Sequence, residues 1–158
     1  LPDVEGAICN PAYNRAGCRT PMQWDDSPNA GFSTADPERL YLPIDPDPGR
    51  PTVAAQREDP ASTLNLVRRL IALRKATPAL GGRASIRVVH EGYPFIYLRG
   101  GTHLVVVNPR RETATIEVPG AFGARSLLAD GVALADGDTF QVAGFGYGIF
   151  ELPQPRDP

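Results

Sequence analysis

Five residues in one short stretch carry the side chains best suited to chemistry on a polar ring. In Gly17–Ser33, reading GCRTPMQWDDSPNAGFS, Arg19 offers a planar fork for a carboxylate. Gln23 and Trp24 can hydrogen-bond to and stack on a polar ring, and Asp25 and Asp26 are adjacent carboxylates. Trp24 is the only tryptophan and stands among polar residues. Without further context the same stretch also reads as an ordered loop whose tryptophan fills a surface hollow. Adjacent loop residues usually point apart, so Asp25 and Asp26 make a poor catalytic pair. Cys9 and Cys18 lack a Cys-x-x-Cys spacing, and His90 and His103 are far from them in sequence, which argues against zinc. Two cysteines make no disulfide framework and are expected to be free thiols. Asp45-Pro46-Asp47-Pro48 is too proline-constrained for a calcium loop. No metal site is expected.

These side chains need a frame. The chain has 158 residues, 42% hydrophobic and 22% charged, with a formal net charge of -2. That is a globular composition, enough for one ordinary domain or a small domain with part of another. Basic and acidic residues are mixed throughout, so no nucleic-acid partner is implied. No apolar run approaches the roughly 20 residues of a membrane-spanning helix. There is no N-terminal signal pattern, so a cytoplasmic protein is expected, and the lack of an initiator methionine before Leu1 suggests a missing or processed N-terminus.

Ten of the 17 prolines lie in the first sixty residues, which show no sustained period and are read as long irregular connections. Asp59-Pro60 has the form of a helix start, with Asp59 as cap and Pro60 in the first turn. Leu64, Leu66, Val67, Leu70, Ile71 and Leu73 then fall on one side of a helical wheel. Arg74 falls inside that apolar arc, either snorkelling to water or paired with a carboxylate. The helix is expected to end near Thr77, before Pro78. Beyond Arg83 eight short strands are predicted, separated by turn dipeptides including Gly100-Gly101, Asp130-Gly131 and Asp136-Gly137. Leu104–Val107 is apolar on both faces, as in a central strand, whereas Ala114–Val118 alternates, as in a strand with one wet face. The whole suggests an antiparallel β-sandwich.

Arg19–Trp24, followed by Asn29–Phe32, strongly resembles a segment of the α-glucosidases, oligo-1,6-glucosidases and trehalose synthases of glycoside hydrolase family 13. Leu70–Lys75 resembles the last barrel helix of that family. The resemblance implies a mixed fold: the end of a (β/α)8 barrel over residues 1–80, then a C-terminal β-sandwich over 81–158. Active sites of such barrels lie in the loops after the strands, which would place residues 1–59 beside the active-site mouth. Retaining glycosidases use two carboxylates about 5–5.5 Å apart. The family supplies an aspartate nucleophile, a glutamate acid/base and a sugar-binding aspartate from earlier barrel strands, and no counterpart motif occurs here. No catalytic residue is therefore expected in this chain. Arg15 matches a family arginine at the subsite for the non-reducing glucose, although Ala16 replaces the aspartate that usually follows it. The implied parent hydrolyses short α-glucosides with retention, and no organic cofactor is expected for it. Its partners would be an α-gluco-oligosaccharide and the missing barrel, and this chain alone would be inactive. Two alternatives are a fragment of a trehalose synthase and a stand-alone carbohydrate-binding or structural β-sandwich module, the latter using Tyr93, Phe95, Tyr97, Phe145 and Tyr147 as a sugar platform.

Overall fold

Two helices, α1 (Val53–Glu58) and α2 (Thr63–Ala76), precede six strands. The strands are β1 (Ile86–His90), β2 (Phe95–Arg99), β3 (His103–Val107), β4 (Ala114–Glu117), β5 (Arg125–Leu134) and β6 (Thr139–Glu151). The computed structural model describes residues 19–154. It divides into two compact units, one running through Leu70 and the other starting at Ile71.

The helical segment begins later than the Asp59-Pro60 signature suggests. Asp59 does accept a bond from a nearby amide, but the donor is Ala61 N at 2.8 Å, and Ser62 N bonds to Asp59 O at 3.1 Å. The residues at this signature therefore close a turn. Ser62 is the cap: its Oγ accepts from Asn65 N at 3.3 Å and its carbonyl from Leu66 N at 2.9 Å. Gln56 Oε1 takes Leu64 N at 3.1 Å, while Asn65 Nδ2 donates to the carbonyls of Gln56, Arg57 and Asp59 at the end of α1. Each helix thus satisfies the terminal groups that the other leaves free. The expected end of α2 near Thr77 is observed, with Pro78–Leu80 forming a 3₁₀ turn. Val67 and Ile71 on the apolar stripe remain about half exposed, and Arg74 is exposed.

The strand region forms one curled antiparallel sheet in the order β1-β2-β3-β6-β4, with β5 also paired to β6. β3 is central, as its two apolar faces predict, and β4 alternates between half-buried and exposed residues. Gly100 and Gly101 both have positive φ in the β2–β3 hairpin. The number of strands differs from the sequence expectation, since four of the eight short strands are halves of two long ones. Asp130-Gly131 is a bulge within β5, where the register against β6 shifts between Asp130 and Val132. Gly144–Gly146 is a bend within β6: Phe145 has φ 60°, and a Cβ on Gly144 would lie 1.9 Å from the Arg111 carbonyl oxygen.

The bend makes the core. The first half of β6 pairs with β4 and the second half with β3. Folding the two halves toward each other brings Phe140 and Phe150 into an edge contact with ring centroids 4.9 Å apart. Around them lie Ile96, Leu98, Leu104, Val106, Val118 and Val142, all essentially inaccessible. Asn108 sits at the bend, 2% exposed. Its Nδ2 donates to Glu112 O at 2.8 Å and Ala143 O at 3.0 Å, and its Oδ1 accepts from Arg110 N at 3.2 Å.

Candidate functional site

The recognised segment is built around α1. Val53 N donates to Gln23 O and Ala54 N to Trp24 O, both at 2.9 Å. Ala55 N donates to the Thr52 hydroxyl at 3.2 Å. The otherwise free first-turn amides of α1 are therefore taken by the Gln23-Trp24 backbone and the Thr52 cap. Gln23 Nε2 adds a bond to Pro51 O at 3.0 Å, fastening the same two segments a second time.

The chain then reverses within a few residues. Trp24 N donates to Ala30 O at 2.8 Å, and Asn29 and Ala30 both adopt left-handed backbone conformations, with φ of 54° and 53°. Asn29 tolerates that region better than most residues. Its Nδ2 also donates to Ser33 O at 2.9 Å and Ala35 O at 2.7 Å, holding the outgoing strand of the loop. Gly31 follows at φ 67°, where a Cβ would meet the Asp25 carboxylate at 2.8 Å.

The two adjacent aspartates have separate roles. Asp25 accepts from Ser27 N at 2.9 Å and from the Ser27 hydroxyl. Those bonds, the hydroxyl's first, hold its carboxyl below the usual carboxylate range. A glycosidase general acid needs the opposite shift, so Asp25 is unsuited to that part. Asp26 points to solvent and lies 3.8 Å from Arg50. Asp25, Ser27, Phe32, Ser33 and Thr34 line an open hollow of about 810 Å³. Trp24 is 45% exposed and Phe32 is similarly open. The arrangement can seat or cover a polar ring, and it brings together no acid and base for bond cleavage.

Arg15, the expected substrate-binding residue, lies outside the described residues, as do Cys9 and Cys18. Arg19 is exposed at the start of the described chain. Among the described residues no three His, Cys, Asp or Glu side chains are grouped as a metal would need, and no helix is long and apolar enough to cross a membrane. Sequence reasoning missed Thr52, Ser62 and Asn65 as the residues that hold the helices under this loop. Ser62 is itself a favoured cap residue and is the usable signal here, competing in the sequence with Asp59-Pro60. Of the aromatics proposed as a sugar platform, Tyr93 and Phe145 are exposed. Phe95 and Tyr97 pack together at 5.6 Å, and Arg110 lies 5.0 Å from the Tyr93 ring centroid.

The reversing loop is strapped to a short helix and is followed in the chain by an antiparallel sheet. The alpha-amylase catalytic-domain family model matches residues 5–82, so this stretch carries a match to the alpha-amylase family, glycoside hydrolase family 13. It is 43% identical over 108 residues to a probable alpha-glucosidase of Rhizobium meliloti, covering 66% of this chain and 19% of that protein. It is 35% identical over 109 residues to an oligo-1,6-glucosidase of Parageobacillus thermoglucosidasius, with the same coverage of both chains. Over 70 residues it is 49% identical to a trehalose synthase/amylase of Mycobacterium tuberculosis, covering 42% of this chain and 12% of that one. Among solved structures, an isomaltulose synthase mutant from Erwinia rhapontici in complex with sucrose superposes with a TM-score of 0.75 at 28% identity, covering 89% of this chain and 26% of its own. A trehalulose synthase from Pseudomonas mesoacidophila gives 0.73 at 32% identity, covering 88% and 26%. The chain thus spans about a fifth or less of the length of these sequence relatives.

Proposed function

We propose that this chain is the C-terminal part of an α-glucosidase-type glycoside hydrolase that acts on short α-glucosides with retention. Residues 1–80 form the end of its catalytic barrel and residues 81–158 its C-terminal β domain. The observation that carries the reading is Arg19–Trp24 with Asn29–Phe32, a signature whose two halves are joined by the bond from Trp24 N to Ala30 O. The similarity to glucosidases extends beyond it across two thirds of the chain.

In this reading the catalytic carboxylates belong to the part of the parent that relatives carry and this chain does not. The parent works in the cytoplasm, and the module packs on its barrel. Arg15 contributes to the subsite for the non-reducing glucose. The purified chain is expected to leave an aryl α-glucoside intact, and hydrolysis at an enzymatic rate would refute its inactivity. An Arg15→Ala change in the parent should raise KM for maltose well above its wild-type value, whereas unchanged kinetics would remove Arg15 from the site.

One observation favours a second reading: the 49% identity to a trehalose synthase/amylase over 70 residues. Incubating the parent with maltose separates the two, because a glucosidase releases glucose and a trehalose synthase returns trehalose.

A further inference from the structure

One end of the sheet carries two large aromatic rings that the core does not use. Phe95, Val107 and Tyr147 stand opposite one another at that end of β2, β3 and β6. Two residues further along the same segments lie Tyr93 and Phe145, on either side of Pro109. Tyr93 is 52% exposed and Phe145 is 63% exposed. Hydrogen bonds join the segments past the last ladder pair: Asn108 N donates to Gly146 O and Phe145 N to Arg110 O, both at 2.8 Å. The Arg110 guanidinium carbon lies 5.0 Å from the Tyr93 ring centroid. Arg110 therefore connects the two rings, with its backbone bonded to Phe145 and its side chain over Tyr93.

The backbone at Phe145 is strained. Its φ of 60° is a region that a bulky residue rarely enters and that glycine enters freely. Strain of this kind persists only where the surroundings over-determine it, and it clusters at active sites and ligand clamps. Burial does not account for the ring, which is mostly open to solvent, and the bend already has glycine at positions 144 and 146. The support beneath is firm. Asn108, buried at the bend, bonds to the Arg110 amide and to two carbonyls, and His90 Nδ1 lies 2.7 Å from Pro94 O beside Tyr93. Among the described residues the Arg110 guanidinium has no hydrogen bond or ion pair, so its N–H groups are available at the edge of the stack.

We propose that Tyr93, Arg110 and Phe145 form a seat for glucose units of an α-gluco-oligosaccharide, built from other residues than the hollow beside Asp25. A pyranose has an apolar C–H face that lies on an aromatic ring, and a rim of hydroxyls that need polar partners. Two open rings held in place, with one planar multi-donor group at their edge, meet both needs. An anion alone would use Arg110 and leave both rings idle. A stable protein partner needs about 800 Å² on each side, and this corner offers two rings and one guanidinium. The seat itself stands on these three residues. The choice of α-linked glucose over other sugars rests on the reading of the chain as part of an α-glucosidase. Such a seat holds a glucan on the β domain without cleaving it, since none of the three residues is a carboxylate.

The test titrates maltoheptaose into the full 158-residue chain and follows the backbone amides by two-dimensional NMR. The amides of Tyr93, Arg110 and Phe145 should shift together along one binding curve. Phe145→Gly should weaken that binding roughly tenfold, the worth of one good aromatic contact. Its urea midpoint should be no lower than wild type, because glycine relieves the positive φ. Tyr93→Ala should weaken binding similarly, while Phe122→Ala, which removes a 70% exposed ring elsewhere, should leave it unchanged. No shift at these amides up to the solubility limit of the sugar overturns the inference, as do shifts confined to residues 24–34. Inorganic phosphate shifting them where maltoheptaose does not would assign the corner to an anion and also overturn it. A lowered midpoint in Phe145→Gly with binding intact would assign the ring to packing, with the same result. Action of the parent on maltose separates the two levels. A parent active on maltose whose corner binds no sugar defeats the seat alone. A parent inert on maltose, with cellohexaose shifting the same amides in place of maltoheptaose, defeats the glucosidase reading and the α-gluco choice with it.

Discussion

Asn108 should be the most costly polar residue to lose in the strand region. It is almost fully buried where β6 bends, and its side chain makes three hydrogen bonds, two to carbonyls of separate segments and one from the Arg110 amide. Replacement by alanine removes all three and leaves the Ala143 and Glu112 carbonyls and the Arg110 amide without those partners. At a net value of about 1 kcal/mol per bond, the loss is about 3 kcal/mol. With a urea slope of about 2 kcal/mol/M, the unfolding midpoint should fall by roughly 1.5 M. Asn108→Asp keeps the acceptor, loses both donors and sets a carboxylate against two carbonyls, so it should fall at least as far. Arg111→Ala, on an exposed side chain in the same loop, should stay within about 0.5 kcal/mol of wild type. If Asn108→Ala moved the midpoint no more than Arg111→Ala does, the bend would be held by the apolar core alone and the argument from Asn108 would fail.

Gly144→Ala should cost about 3 kcal/mol, because its Cβ meets the Arg111 carbonyl oxygen, whereas Gly82→Ala, with open space around it, should leave the melting temperature nearly unchanged. Thr52→Ala should cost about 1 kcal/mol and speed amide exchange at Ala55, with Thr52→Ser restoring most of the protection. Burial holds His103 below its ordinary value, against the attraction of Glu151 and with the help of Arg125. The folded state therefore resists protonation that the unfolded state accepts, so stability is complete above about pH 6.5 and declines as pH falls from there toward the lower folded value. Urea midpoints measured across that window should fall less steeply for His103→Gln, and equal slopes would refute the assignment.

Local patterns that carry their own physical cause were legible from the sequence. Gly100-Gly101 requires positive φ and forms a hairpin, Leu104–Val107 is apolar on both faces and is central, and Pro78 ends α2. What the sequence hid were long-range decisions. Gly144 and Gly146 fall between two short strands of the sequence reading, yet β6 runs through both, and backbone carbonyls of Arg111 and Gly131 lie too close to them for a Cβ. Asp130-Gly131 reads as a turn, yet β6 is long enough to pair on either side of it and the dipeptide becomes a bulge. Asp59-Pro60 reads as a helix start, and lost to Ser62 because Asn65 and Gln56 tie α1 and α2 together at that point.

The signature segment shows a different division. Its residues looked chemical: a tryptophan, a glutamine and two carboxylates. Most of their fixed contacts are structural, since Gln23 and Trp24 work on α1 through their carbonyls and Asp25 binds its own turn. That explains why the family resemblance was readable from this one segment. The demands of a reversing loop, left-handed conformations at Asn29 and Ala30 and a collision-free Gly31, restrict residue types as tightly as catalysis does. The side chains of Trp24 and Phe32 remain open, and Phe32 lines the hollow. A loop fixed this firmly by its backbone can present those two rings without letting them set its fold, so changing them should alter what the loop covers more than how it folds. Trp24→Ala should accordingly leave the urea midpoint within about 0.5 M of wild type while changing KM of the parent for maltose. A collapse of the fold with unchanged binding in the surviving fraction would assign the ring to packing instead.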